Sequence, residues 1–188
     1  MIRLLTILAI IPIIAAFVVR WWFGMRLLSG KGRHQCRCDL AKWEKTFGPQ
    51  NIPPSSNGDA LIYATLLRKS SLLDWKTRDP RASASREGAR RFGMAVPPLA
   101  LMVALLAVIV GRLPIIYLLP VFLLAIASAV IISYLSIAPE LKAILINSRR
   151  LRDSHTFPRR EDEEAVIEVA NALAWKEAAP PVFNLLQK

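Results

Sequence analysis

Three residues with metal-binding chemistry stand close together early in the chain: His34, Cys36 and Cys38 in the run HQCRC, with Asp39 next. Imidazole and thiolate are zinc ligands, and a structural zinc takes four ligands, usually from two separated pairs. One chain closes such a site only by bringing Asp39 or the other histidine, His155, to the cluster; two chains sharing it is the other route. Without further ligands, the pair reads as two reduced cytoplasmic thiols beside a membrane. A redox role or palmitoylation is the remaining reading. Farther along, Glu161, Asp162, Glu163 and Glu164 form a row of carboxylates. They suit a cation, but the positive N-terminal end of a helix accounts for them more economically. No phosphate loop and no HExxH is present, and neither histidine has a second histidine four residues away. The expectation is no catalytic residue and no cofactor, with His34, Cys36 and Cys38 as the candidate metal ligands.

The elements that must position these groups are set by where the apolar residues fall. Of 188 residues 54% are apolar, and they concentrate in three blocks: residues 4–19 extended by Trp21, Trp22 and Phe23, then 96–110, then 113–137. Crossing about 30 Å of hydrocarbon takes roughly 20 helical residues. The third block reaches that length alone, the second with Phe92, Gly93, Met94 and Ala95, the first with its aromatic collar. A helix of a soluble core would show polar residues every few positions, and these blocks show almost none. The fold class expected is all-α: an integral membrane protein with three transmembrane helices, an N-terminal anchor plus a C-terminal hairpin. A cytoplasmic helical loop and a helical C-terminal segment complete it. The expected divisions are 1–23, 24–91, 92–137 and 138–188. The first block also fits a signal peptide starting at Arg3. Arg20, Trp21 and Trp22 at its end instead suit a retained helix, with aromatics at headgroup level and the arginine reaching to water.

Charge gives the orientation. Fourteen of the 25 lysines and arginines lie in residues 24–91 and eight in 138–188; Arg20 joins them, leaving Arg3 and Arg112 opposite. Positive residues near spans stay cytoplasmic, each contributing about 1 kcal/mol near anionic lipid. The N-terminus is therefore expected outside and the C-terminus in the cytoplasm. The net charge of +11 is mostly this topology signal. Nucleic-acid binding would need stacking aromatics among the basic residues, and Trp43 and Trp75 are too sparse.

Within the expected cytoplasmic parts, residues 24–37 read as a flexible basic strip and 48–58, GPQNIPPSSNG, as a linker. Asp39 is placed to cap a helix through Thr46, with Leu40, Trp43 and Phe47 on one face. Asp59 caps another through Trp75, with Leu61, Ile62, Leu66, Leu67 and Leu73 as its apolar stripe. Asp79-Pro80 opens the helix that leads into the second span, where Pro97-Pro98 should kink it. Pro139 opens a further helix or kinks a continuous one. The last helix begins near Pro158, with Val166, Val169, Ala170, Leu173 and Ala174 as its stripe.

Several stretches together resemble the membrane-anchored neutral zinc metallopeptidase family of bacteria. They are SSNGDALIYATLLRKSSLLD (55–74), INSRRL (146–151) and ANALAWKEAA (170–179). The resemblance implies an N-terminal anchor, a soluble zinc-peptidase region, a hydrophobic hairpin and a helical C-terminal segment in a bacterial inner membrane. It also implies a zinc held by two histidines of HExxH and a glutamate. This chain has no histidine between Trp75 and the second span. The glutamate position falls on Ile144 or on Glu140, depending on the alignment. The resemblance thus points to a shortened form that keeps the membrane scaffold without the protease.

The expected function is a non-catalytic structural or accessory subunit. Its partners are the bilayer, anionic lipid headgroups through the basic loop, and a protein partner or a second copy. One alternative is a metal-dependent enzyme or sensor built on His34, Cys36 and Cys38. Another is a small oligomeric pore or transporter, with Ala104, Ala107, Ala125, Ala127, Ser128 and Ala129 permitting close helix contact. Against an ion pathway, no charged residue lies inside the second or third span.

Overall fold

In the computed structural model, residues 2–178 are described, and most of them are helical. Helix α1 (Ile2–Trp21) continues through a π-helical turn, Trp22–Leu27, into the short α2 (Leu28–Lys31). Strand β1 (Gln35–Arg37) precedes α3 (Leu40–Phe47), and strand β2 (Asn57–Asp59) precedes α4 (Ala60–Arg78). Then come α5 (Pro80–Ile109), α6 (Leu118–Leu135), α7 (Ala138–Asp153) and α8 (Arg160–Ala178). The one departure from all-α architecture among the described residues is the antiparallel pair β1–β2, in which Gln35 faces Asp59, Cys36 faces Gly58 and Arg37 faces Asn57.

Two expected unstructured stretches are therefore ordered. Residues 24–37 are not a flexible strip: they hold the π turn, α2 and β1. The stretch 48–58 holds a 3₁₀ turn, Pro49–Asn51, and the start of β2. Hydrogen bonding explains the order, because the Trp43 indole donates to the Asn51 carbonyl at 2.8 Å and the Cys38 amide to the Ser56 carbonyl at 2.7 Å. Two of the three expected aspartate caps form. Asp39 accepts from the amides of Ala41 and Lys42, and Asp79 from that of Ala82. Asp59 precedes α4 but makes no side-chain cap; its carboxylate accepts from the Gln35 amide group instead. Helix α5 runs unbroken through Pro97 and Pro98. The turn after it needs Gly111, whose φ of 72° is one that side chains with a Cβ rarely adopt.

The chain divides into two compact units. One comprises residues 2–19 and 84–136 with Ala178. In it α1 packs on α6 through Ala16, Ile126 and Val130, with Ile13, Phe122 and Tyr134 around them. Arg86 donates to the Ser133 carbonyl at 3.0 Å and to the Ser136 hydroxyl at 2.9 Å. Much of the apolar surface in this unit is unburied: Ile109 is 78% exposed, Leu135 75% and Ile115 74%. Three helical stretches are long and apolar enough to cross a membrane: Thr6–Lys31, Pro80–Ile109 and Ile115–Asp153.

The other unit comprises residues 20–83 and 137–177. Its main helix pair is α4 against α7. The buried face of α4 is Ala60, Tyr63, Ala64, Leu67, Arg68, Ser71 and Trp75. This corrects the expected stripe, since Leu61, Ile62 and Leu73 are exposed. An aromatic group of Trp43, Tyr63 and Phe157 fixes α3 and α4 to the segment after α7, with ring centroids 5.6–6.3 Å apart. Phe23 stacks on Trp175 at 5.8 Å. Arg20 is buried rather than reaching to water, while Arg26 sits 4.5 Å over the Trp22 ring.

Candidate metal centre

Residues two apart in extended chain project to the same side, so β1 and the residue before it present Cys36 and His34 together. The third member comes from the far end of the sequence. Asp162 lies in the first turn of α8, and one donor atom each from His34, Cys36 and Asp162 fall within 4.8 Å of one another. Among the described residues this is the one such grouping of three.

Asp162 is held from two directions. Its Oδ1 lies 3.0 Å from His34 Nε2, and its Oδ2 accepts the Arg37 backbone amide at 3.1 Å. The carboxylate and the Cys36 thiol are both buried, whereas the His34 ring is partly exposed. The thiol donates to the backbone carbonyls of His34 at 3.6 Å and Asp162 at 3.8 Å, ordinary distances for sulfur. His34 opens onto a cleft of about 410 Å³ whose walls include Lys31, Glu161, Glu164 and Glu168. Lys31 pairs with Glu168 and Arg160 with Glu164.

Of the three residues expected to ligate, the structure brings His34 and Cys36 together and leaves Cys38 out of the group. Cys38 lies just past β1, donates its backbone amide to the Ser56 carbonyl, and lines a separate cavity with Lys42 and His155. Asp39 is committed to capping α3, and His155 turns the chain between α7 and α8 with a φ of 47°. Neither joins the cluster. Both cysteines are free thiols. Burial, then the charges of Asp162 and Asp59, pushes the Cys36 thiol up to about 12. Burial, then the charges of Asp39 and Cys36, does the same for Cys38, also to about 12. Thiols so placed stay protonated at neutral pH and are poor nucleophiles, which disfavours a redox pair. A bound metal acts differently, because a cation deprotonates the thiol that coordinates it.

Asp162 was the member that sequence reasoning missed. The signal was present: Asp162, Val166 and Val169 are spaced i, i+4, i+7, so Asp162 shares the buried stripe of α8, while Glu161 and Glu164 face out.

A second polar group lies between α4 and α7. Arg68 donates through Nε and Nη2 to Glu140 Oε1, at 2.9 and 2.6 Å, and its Nη1 lies 2.6 Å from Glu177. Burial alone would lower the Arg68 pKa; the hydrogen bonds and charges of Glu177 and Glu140 outweigh it and hold it above the ordinary value. Asn147 donates to the Ser71 hydroxyl at 3.1 Å. Glu140, one of the two positions the resemblance offered as a metal ligand, is thus occupied by a guanidinium, and the other, Ile144, is fully buried.

Comparison with protein-family models, with curated proteins and with solved structures finds no significant match to this chain.

Proposed function

We propose that this chain is a non-catalytic, multi-pass integral membrane protein acting as a structural or accessory subunit. The observation that carries the reading is the contrast between the two units. One leaves most apolar side chains of α1, α5 and α6 unburied, while the other holds most of the ion pairs. Apolar surface costs roughly 25 cal/mol per Å² to hold in water, and patches well beyond a few hundred Å² mark a membrane or partner surface. Lipid removes that cost along a helix, whose backbone groups are satisfied internally.

The positive-inside asymmetry sets the polar unit in the cytoplasm and the N-terminus outside, and the resemblance supplies the bacterial inner membrane as its setting. The absence of HExxH from the sequence and the engagement of Glu140 by Arg68 both favour a scaffold over a peptidase. The subunit role is tested by copurification in mild detergent with mass spectrometry. A stable partner at fixed ratio supports it. A lone homo-oligomer that conducts solutes in reconstituted vesicles overturns it in favour of a pore.

A further inference from the structure

We infer that His34, Cys36 and Asp162 form a binding site for a divalent ion of the zinc class, with its fourth position reached from the cleft that His34 lines. The inference goes beyond the scaffold role and does not depend on it.

The donor set selects the ion. One imidazole nitrogen, one thiolate sulfur and one carboxylate oxygen suit zinc and its borderline neighbours, whereas magnesium and calcium take oxygen ligands. Bond lengths of about 2.0–2.3 Å in a tetrahedral site set ligand atoms about 3–4 Å apart. The three donor atoms here lie within 4.8 Å, with His34 Nε2 and Asp162 Oδ1 already at 3.0 Å. Small side-chain rotations close the difference, and the partly exposed His34 is free to make them.

The surroundings are also those of a built site. The Arg37 amide fixes Asp162 Oδ2, so the carboxylate is oriented by a group that is not itself a ligand, as is usual around bound metals. The Cys36 sulfur is buried, and its S–H meets two backbone carbonyls, weak hydrogen bonds that a metal would replace. The cleft wall is mixed: Glu161, Glu164 and Glu168 face Lys31 and Arg33, with Glu168 paired to Lys31 and Glu164 to Arg160, so the carboxylates outnumber the lining cations by one. On binding, the metal–sulfur bond replaces the S–H bond and the thiol proton goes to solvent. The neutral His34 ring then carries its one proton on the nitrogen that does not ligate. Three protein ligands leave one position for water or for a group donated by a partner.

The full-length protein, purified in mild detergent and dialysed against buffered zinc, should retain one equivalent per chain. Substitution by cobalt should give the near-ultraviolet charge-transfer band of a thiolate–cobalt bond. That band should persist in Cys38→Ser and vanish in Cys36→Ser. His34→Ala, chosen because that side chain is partly exposed, should keep the helical circular dichroism and weaken zinc binding by roughly a hundredfold. Zinc should raise the unfolding temperature of the parent protein and not of His34→Ala. Folded protein that retains no zinc, or a cobalt band that survives Cys36→Ser or depends on Cys38 instead, overturns the site.

Discussion

Arg68 shows how a single residue is held against its chemistry. A guanidinium this buried is tolerable only when paired and hydrogen-bonded, and Glu140, 2% exposed, supplies both. Glu177, about half exposed, adds a second carboxylate from α8. The two contributions should differ sharply. Glu140→Ala leaves a buried cation short of its inner partner and should cost about 3–5 kcal/mol in detergent unfolding. Glu177→Ala should cost about 1 kcal/mol or less, because water screens that pair. Tyr63 offers a pH test. Burial, then the charges of Cys38, Cys36 and Asp162, raises its phenol from 10.0 to about 12, and its hydroxyl donates to the Ser55 carbonyl. The folded state therefore holds the proton that the unfolded state loses. The associated stability is present in full below pH 10, declines as pH climbs, and is gone above about 12. The unfolding midpoint should fall through that window, and Tyr63→Phe should flatten the fall.

Among the elements, α3, α4 and α8 show what periodicity can and cannot find. The Asp39 cap was legible because a short polar residue before an amphipathic run has few other uses. Asp39→Ala should cost about 1 kcal/mol of stability, read from the unfolding midpoint. The face of α4 was read only in part: Leu67 of the expected stripe is fully buried. Counting apolar residues also chose Leu61, Ile62 and Leu73, which are exposed, yet α4 turns Arg68 and Ser71 inward because α7 offers Glu140 and Asn147 opposite. A polar residue is worth burying only when its partner is known, and the partner is about 70 residues away in sequence. The same reasoning covers Asp162 on α8. Its place on the stripe was visible, but the strand that presents His34 and Cys36 to it was not. That two-stranded ladder pairs residues 35–37 with 57–59 across a stretch that has the composition of a linker.

At the scale of the whole molecule, the division into an apolar-surfaced unit and a polar one organises everything else. The chain should remain in the membrane fraction after alkaline carbonate extraction. Reporters placed within residues 24–83 should be protected in sealed right-side-out vesicles, and one at Arg112 should be accessible. A soluble chain, or the reverse pattern, would sink the proposed topology. The three helices long and apolar enough to cross a membrane, the polar segments between them and the positions of most helices were determined by the sequence alone. Hydrophobic length and capping are local properties, legible along a single stretch. Which faces pair, and which donors meet, was decided only by tertiary structure. The Arg68–Glu140 pair and the convergence of His34, Cys36 and Asp162 depend on contacts between remote segments. The free energy of a buried polar group depends on its partner, and no local pattern encodes that partner.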